Sequence, residues 1–221
     1  MEKSGIKNGL ARTLVRFGVS ADFLTVAGLI SAVAAGVLLY RGEFFFAGVL
    51  LLLSGLFDLL DGAVARVSGS QSPFGGILDS SLDRYGDGAV LGASVLYYAR
   101  TFDAPLSVLA LAALLGSFGV SYVRARAECE IEDCRTGFWE RGERLVLVAL
   151  ALLADNLGMA LFFLAIGTQW TVFQRLAFAN IGTKKDAPQP VPFYLKASPR
   201  NSWPYFVKVS FLILALLFVR A

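Results

Sequence analysis

The sequence predicts an all-α integral membrane protein. It comprises a bundle of six transmembrane helices, an amphipathic helix before it, and an extra C-terminal hydrophobic stretch after it. Three observations carry this reading. Hydrophobic residues make up 56% of the 221-residue chain and charged residues 17%, against about 45–50% and roughly 25% in a soluble domain. The apolar residues gather into runs near the length that a bilayer requires, about 20 residues per helix. The breaks between runs are chemically sensible: Arg41-Gly42-Glu43, Ser68-Gly69-Ser70 and Asp103-Ala104-Pro105. The composition argues against a soluble globular enzyme and excludes intrinsic disorder. The chain has no histidine. A histidine base and a histidine-ligated zinc are therefore ruled out, which leaves carboxylates, basic groups and metal ions.

Residues 1–20 form a juxtamembrane segment. Ile6, Leu10, Leu14 and Phe17 recur at helical spacing, with Lys3, Lys7, Arg12 and Arg16 on other faces. That pattern suits a helix lying on an anionic membrane surface, or a plain basic flank to the first span. The segment lacks the continuous apolar core and small-residue cleavage site of a signal peptide. Asp22 can cap the first span. The spans are expected at about 23–40, 44–65, 74–99, 105–123, 143–154 and 157–178. The fifth is short, and gains length by starting near Trp139, with Glu140, Arg141, Glu143 and Arg144 facing protein or water. Residues 21–178 are then the transmembrane domain. Residues 179–221 are a proline-rich polar connection ending in the apolar stretch 203–219, which crosses the membrane or packs as an appendage. No internal repeat or low-complexity tract stands out.

Charge orients the bundle, because cytoplasmic loops collect lysine and arginine. Alternating topology puts Lys3, Lys7, Arg12, Arg16, Arg66, Arg124, Arg126, Arg135, Arg141, Arg144, Arg175, Lys184, Lys185, Lys196 and Arg200 on one side. The other side has Arg41, Arg100 and Arg220. The first side is therefore expected to be cytoplasmic. Cys129 and Cys134 fall on it, where thiols stay reduced, and two cysteines make no disulfide framework. They read as spectators.

The informative residues are acids at membrane depth. Asp58 and Asp61 end the second run, and Asp79, Asp83 and Asp87 fall early in the third. Each costs about 2.5–3.5 kcal/mol on insertion scales, so such a residue is a functional candidate by default. Asp58 and Asp61 are i, i+3 and Asp79 and Asp83 are i, i+4, so each pair shares a helix face. A turn near Gly69–Pro73 would bring the two helices together antiparallel and let the four carboxylates converge. Four ionised carboxylates cannot sit together unneutralised in a low dielectric. Either some are protonated or cations bind. Two divalent ions would cancel the charge, and oxygen-only ligands favour Mg²⁺ or Mn²⁺. Gly62, Ala65, Gly75 and Gly76 allow close helix approach, or let a ligand reach the backbone. Arg66 adds a fixed cation suited to a diphosphate.

These residues carry a pattern. Asp58, two residues, Asp61-Gly62, two residues, Ala65-Arg66, eight residues, Gly75, three residues, Asp79, three residues, Asp83 resembles the signature of the CDP-alcohol phosphotransferases at every element and gap. The resemblance implies a six-helix transmembrane fold, often homodimeric, with its site open to the cytoplasm. It implies that Asp58, Asp61, Asp79 and Asp83 bind two divalent cations, Mg²⁺ or Mn²⁺, and that Asp83 is the general base. It implies CDP contacts at Asp61, Gly62, Ala65, Arg66 and Gly75, with Ser72 matching a further nucleotide-contact position. Where the family often shows Pro-Asn before Leu-Thr, this chain has Ala21-Asp22 before Phe23-Leu24-Thr25.

Two further segments, Ser121-Tyr122-Val123-Arg124-Ala125-Arg126-Ala127-Glu128 and Glu140-Arg141-Gly142-Glu143-Arg144, resemble the branch that makes phosphatidylinositol phosphate or its archaeal ether-lipid counterpart. Thr171-Val172-Phe173-Gln174-Arg175 does so more loosely. On that resemblance, Arg124, Arg126, Arg144 and Arg175 form a basic pocket for the phosphate of the acceptor. A guanidinium cluster suits a dianion better than it suits serine or choline. The expected reaction passes a phosphatidyl group from a CDP-diacylglycerol-type lipid to a small polyol phosphate, inositol 1-phosphate in the first instance, and releases CMP. Glycerol 3-phosphate or an unphosphorylated alcohol is the alternative acceptor. The expected partners are these substrates and membrane lipids, with no nucleic acid. A divalent-cation transporter is the competing class, but no acidic relay leads to the far side, where the nearest acid, Asp155, sits in a loop.

Overall fold

The computed structural model describes residues 3–134 and 136–183. All regular structure among them is helical: α1 (Lys3–Arg16), α2 (Ala21–Arg41), α3 (Phe44–Ser68), α4 (Pro73–Arg100), α5 (Ala104–Ala127), α6 (Arg141–Leu153) and α7 (Leu157–Gly182). Four of these, α2, α3, α5 and α7, are long and apolar enough to cross a membrane. The other two expected spans fall short for different reasons. α4 has 28 residues, about 42 Å of helix, but carries Asp79, Asp83, Arg84 and Asp87 between its second turn and its middle. α6 has 13 residues, about 20 Å, against a hydrocarbon core of about 30 Å. The apolar stretch 203–219 and the basic residues Arg135, Lys184, Lys185, Lys196, Arg200 and Arg220 lie outside the described residues.

Local chemistry sets the helix ends. The cap of α2 is Ser20 rather than Asp22: its Oγ accepts from the Phe23 N–H at 3.2 Å. Asp22 sits in the first turn instead, where a negative charge meets the positive end of the helix dipole. α3 stops at Gly69, whose φ of +69° suits glycine. Ser72 then caps α4 by accepting from the Gly75 N–H at 2.9 Å, and Pro73 opens the helix. α7 runs to Gly182, past the expected end at 178, and packs its last turn near Ile131.

The packing places small residues inside and large ones outside. α2 buries Gly28, Ser31, Ala32, Ala35 and Gly36 and turns Phe23, Ile30, Val33 and Val37 outward. Small residues let helices approach closely without a water-driven hydrophobic effect. A Cβ on Gly36 would lie 2.7 Å from the Ala89 carbonyl oxygen of α4. Ser31 Oγ donates to the Leu50 carbonyl at 2.8 Å and Ser54 Oγ to the Gly28 carbonyl at 2.9 Å, which ties α2 to α3. α5 and α7 meet the same way, with Gly116 against Thr168. α2 thus packs along both α3 and α4, whereas α3 and α4 part beyond the turn that joins them. Close packing of α3 on α4 is therefore not found, because the small-residue face of α2 takes up both neighbours, while the expected convergence of their carboxylates is. α1 rests on the last turns of α3, with Ala11 buried beside Leu60, Ala63 and Val64 and Leu10 exposed. Part of its apolar face is therefore spent on protein.

The segment after α5 buries Cys134 and leaves Cys129 exposed. Burial pushes the Cys134 thiol above its usual range, so it carries less of the reactive thiolate at any given pH. Native protein treated with iodoacetamide should gain one label, at Cys129, and a second only on denaturation. Mass spectrometry reads both, and two labels on native protein would show that this segment opens.

Candidate active site

Asp58 and Asp61 come from α3, three and two turns before its end, and Asp79 and Asp83 from the second and third turns of α4. Asp58, Asp61 and Asp79 each offer a carboxylate oxygen, and these oxygens lie within 4.8 Å of one another. Asp61 is 6% exposed; its Oδ2 accepts from Thr25 Oγ1 of α2 at 2.9 Å and its Oδ1 from the Gly62 N–H at 2.5 Å. Asp79 Oδ1 is buried and has no hydrogen-bond partner. Three converging carboxylates, one of which keeps a buried oxygen without a partner, fit a hard divalent cation.

Asp83 lies one turn further along α4 and lines the same small cavity as the other three. Its carboxylate is held differently. Arg141, at the start of α6, sets its Nη1 2.7 Å from Asp58 Oδ1 and 2.9 Å from Asp83 Oδ1. The Arg141 Nε is 3.7 Å from Asp87 Oδ1. Arg84 is 3.6 Å from Asp83 Oδ2. One guanidinium from a remote helix therefore answers part of the charge that the sequence left to protons or cations. Arg141 and Thr25 were within reach of sequence reasoning only as members of their motifs. Thr25 stands in the Leu-Thr pair, and Arg141 opens a span already rich in charge.

Beside the carboxylates, in the fork between α3 and α4, lies a cleft of about 190 Å³. It is lined by Asp61, Gly62, Ala65, Arg66, Ser72, Gly75 and Asp79, together with Ala21, Asp22 and Thr25 of α2 and with Ser70, Gln71 and Gly76. The Arg66 guanidinium lies over Gly62, where an added Cβ would come within 3.4 Å of it. Every residue that the signature assigns to CDP thus faces one cavity. Asp22, where the family often has asparagine, faces it too.

The four arginines expected around an acceptor phosphate divide into two kinds. Arg124 pairs with Glu128 at 2.8 Å and Arg126 with Glu130 at 3.0 Å, both one turn along and partly or fully exposed. Arg144 and Arg175 are 4% and 2% exposed. Arg144 donates to Asp87 and to the Trp139 carbonyl, each at 3.0 Å. Arg175 donates to the carbonyls of Thr136 at 3.0 Å and Val120 at 2.5 Å. Among the described residues no carboxylate lies within ion-pair distance of Arg175, and Arg124 and Arg144 both act on it electrostatically.

A profile of the CDP-alcohol phosphatidyltransferase family matches residues 19–177. The chain belongs to the CDP-alcohol phosphatidyltransferase family. It is 37% identical to the phosphatidylinositol phosphate synthase of Mycobacteroides abscessus over 77% of this chain and 82% of that one. It is 33% identical to the archaetidylinositol phosphate synthase of Pyrococcus horikoshii over 76% of this chain and 87% of the relative. Its fold is similar to the crystal structure of Mycobacterium tuberculosis phosphatidylinositol phosphate synthase with CDP-DAG bound. That match has a TM-score of 0.75 at 31% identity and covers 84% of this chain and 99% of the other. The same enzyme in complex with manganese and citrate matches with a TM-score of 0.74 at 31% identity, over 88% and 98%. Members of this phosphatidyltransferase family are enzymes of phospholipid biosynthesis, so the transporter reading falls.

Proposed function

We propose that this phosphatidyltransferase moves the phosphatidyl group of CDP-diacylglycerol, or an ether-lipid analogue, to a hydroxyl of inositol 1-phosphate and releases CMP. The observation that carries the reading is the convergence of Asp58, Asp61 and Asp79 at the edge of the Gly62–Ala65–Arg66–Ser72–Gly75 cleft. The names of the similar enzymes support the acceptor. So does the gathering of Arg124, Arg144 and Arg175, where among the described residues no carboxylate lies within ion-pair distance of the buried Arg175. Arg126 stands at the rim of this proposed pocket.

In the proposed reaction the hydroxyl oxygen of the acceptor attacks the phosphorus that carries the lipid. The bond from that phosphorus to the bridging oxygen of the diphosphate breaks, and CMP leaves with the electron pair. Asp83 takes the hydroxyl proton. Arg66 lies along the diphosphate, and Gly62, Ala65 and Gly75 keep the wall of the cleft low. Two Mg²⁺ or Mn²⁺ ions, held by Asp58, Asp61, Asp79 and Asp83, would neutralise charge on the diphosphate and on the departing CMP. In this proposal no side chain takes the part of a nucleophile, so transfer is direct and works through positioning and electrostatics. In the membrane, α2 to α7 are the six proposed spans and α1 lies along the surface, with the site on the cytoplasmic side and the protein a homodimer. Residues 179–221 are proposed as a connection and appendage to that bundle, with the end of α7 taken from the first of them.

The test is CMP release by purified protein given CDP-diacylglycerol, Mg²⁺ or Mn²⁺, and a panel of inositol 1-phosphate, glycerol 3-phosphate, inositol, glycerol and serine. Release is expected with inositol 1-phosphate at a kcat/KM at least about tenfold above the others, since one buried charge-assisted contact is worth that much. Preference for glycerol 3-phosphate would move the acceptor, and no release with any alcohol would remove the reaction.

A further inference from the structure

Asp87 lies one helical turn beyond Asp83 on α4, outside the signature, and none of the roles above uses it. Its two oxygens serve two arginines of α6. Oδ2 accepts from Arg144 Nη2 at 3.0 Å, and Oδ1 stands 3.7 Å from Arg141 Nε. α4 and α6 do not otherwise pack closely. A cavity of about 30 Å³ lies between them, and Asp87, Ser117, Arg141 and Arg144 are among its walls. The arginine side chains cross that gap. Arg144 is buried, and Asp87 is the one carboxylate among the described residues within ion-pair distance of it. Its remaining bonded nitrogen is committed to the Trp139 carbonyl. A buried guanidinium depends on its carboxylate for both charge balance and direction, because the fork of donors is rigid.

We infer that Asp87 is a positioning residue for the acceptor: it holds the Arg144 guanidinium at the basic pocket and apart from Arg141, which serves the carboxylates. The inference rests on the acceptor pocket proposed above. Asp87 lies beyond Asp83 from the cleft lined by Gly62 and Gly75 and is not one of its walls, so its loss should be felt by the acceptor and not by the CDP-lipid.

The experiment measures both KM values for the purified full chain in detergent micelles, with inositol 1-phosphate and CDP-diacylglycerol as substrates. Asp87→Asn should raise the acceptor KM by about tenfold, the worth of one charge-assisted hydrogen bond, and leave the KM for the CDP-lipid within about twofold. Asp87→Glu, which keeps the charge, should recover most of the loss. Arg144→Gln should raise the acceptor KM by a similar factor, and Asp87→Asn/Arg144→Gln should be no worse than Arg144→Gln alone, since residues acting through one contact are not additive. If Asp87→Asn does not fold because Arg144 is left buried and unpaired, the double variant, which leaves no such charge, and Asp87→Glu carry the comparison. An unchanged acceptor KM in the Asp87 variants while Arg144→Gln raises it, equal rises in both KM values, or a fully additive double variant would overturn the inference and leave the reaction standing. An unchanged acceptor KM in Arg144→Gln would remove the acceptor pocket itself, and the role of Asp87 with it.

Discussion

Asp83→Asn is expected to lower CMP release by about 10²–10⁴-fold, the span associated with a positioned general base, while the protein stays folded. Asparagine has the shape of aspartate but cannot accept the hydroxyl proton. Arg141 keeps its shorter contact, 2.7 Å to Asp58, when the one to Asp83 is lost, so the start of α6 remains anchored. Loss of a base and loss of a metal ligand are separable. Raising Mn²⁺ should restore activity if the variant merely binds metal weakly, and should restore none if the proton acceptor is gone. Size-exclusion profile and thermal midpoint report the fold, and single-turnover CMP release reports the chemistry. Turnover like that of the wild type would place the base elsewhere.

The second large effect concerns Arg141. Its guanidinium faces Asp58, Asp83 and Asp87 together, and its side chain is 18% exposed. Removing one partner of such a buried pair costs about 3–5 kcal/mol. At about 2–4 °C per kcal/mol for a chain of this size, Arg141→Ala should melt about 10 °C lower than the wild type in the presence of EDTA. Mn²⁺ or Mg²⁺ should return most of that difference, because a divalent ion supplies the positive charge that the carboxylates have lost. The wild type should gain less from the same ions. A midpoint lowered equally with and without metal would mean that Arg141 braces the helices without balancing charge.

Much of the architecture was legible because bilayer length and helical period act on every residue of a span. The runs at 23–40 and 44–65 reappear as α2 and α3 with their ends extended by a turn or less. The carboxylates were legible for a related reason: an acid at membrane depth has few bland explanations, and the i, i+3 and i, i+4 spacings fix their faces. Arg141 was not legible in its role. A basic residue at the mouth of a span fits a positive-inside flank as well as an ion pair, and only the packing of α6 shows three acids around it. The same ambiguity covers Arg144 and Arg175, whose carbonyl partners at Trp139, Thr136 and Val120 come from backbone that no side-chain pattern reports. The parting of α3 and α4 was missed because the turn between them constrains their ends alone, whereas the face of α2 sets their course.

That parting bears on how the enzyme meets its donor. A fork between two helices, open beside a cleft of about 190 Å³, lets a substrate belong to two phases at once. In the proposed reaction the nucleotide would remain at the aqueous margin while the hydrocarbon chains stay dissolved among the lipids. Encounter is then a lateral, two-dimensional event. The quantity that governs donor saturation is the mole fraction of CDP-lipid in the membrane, and diluting the bilayer with inert lipid slows the enzyme where adding water does not.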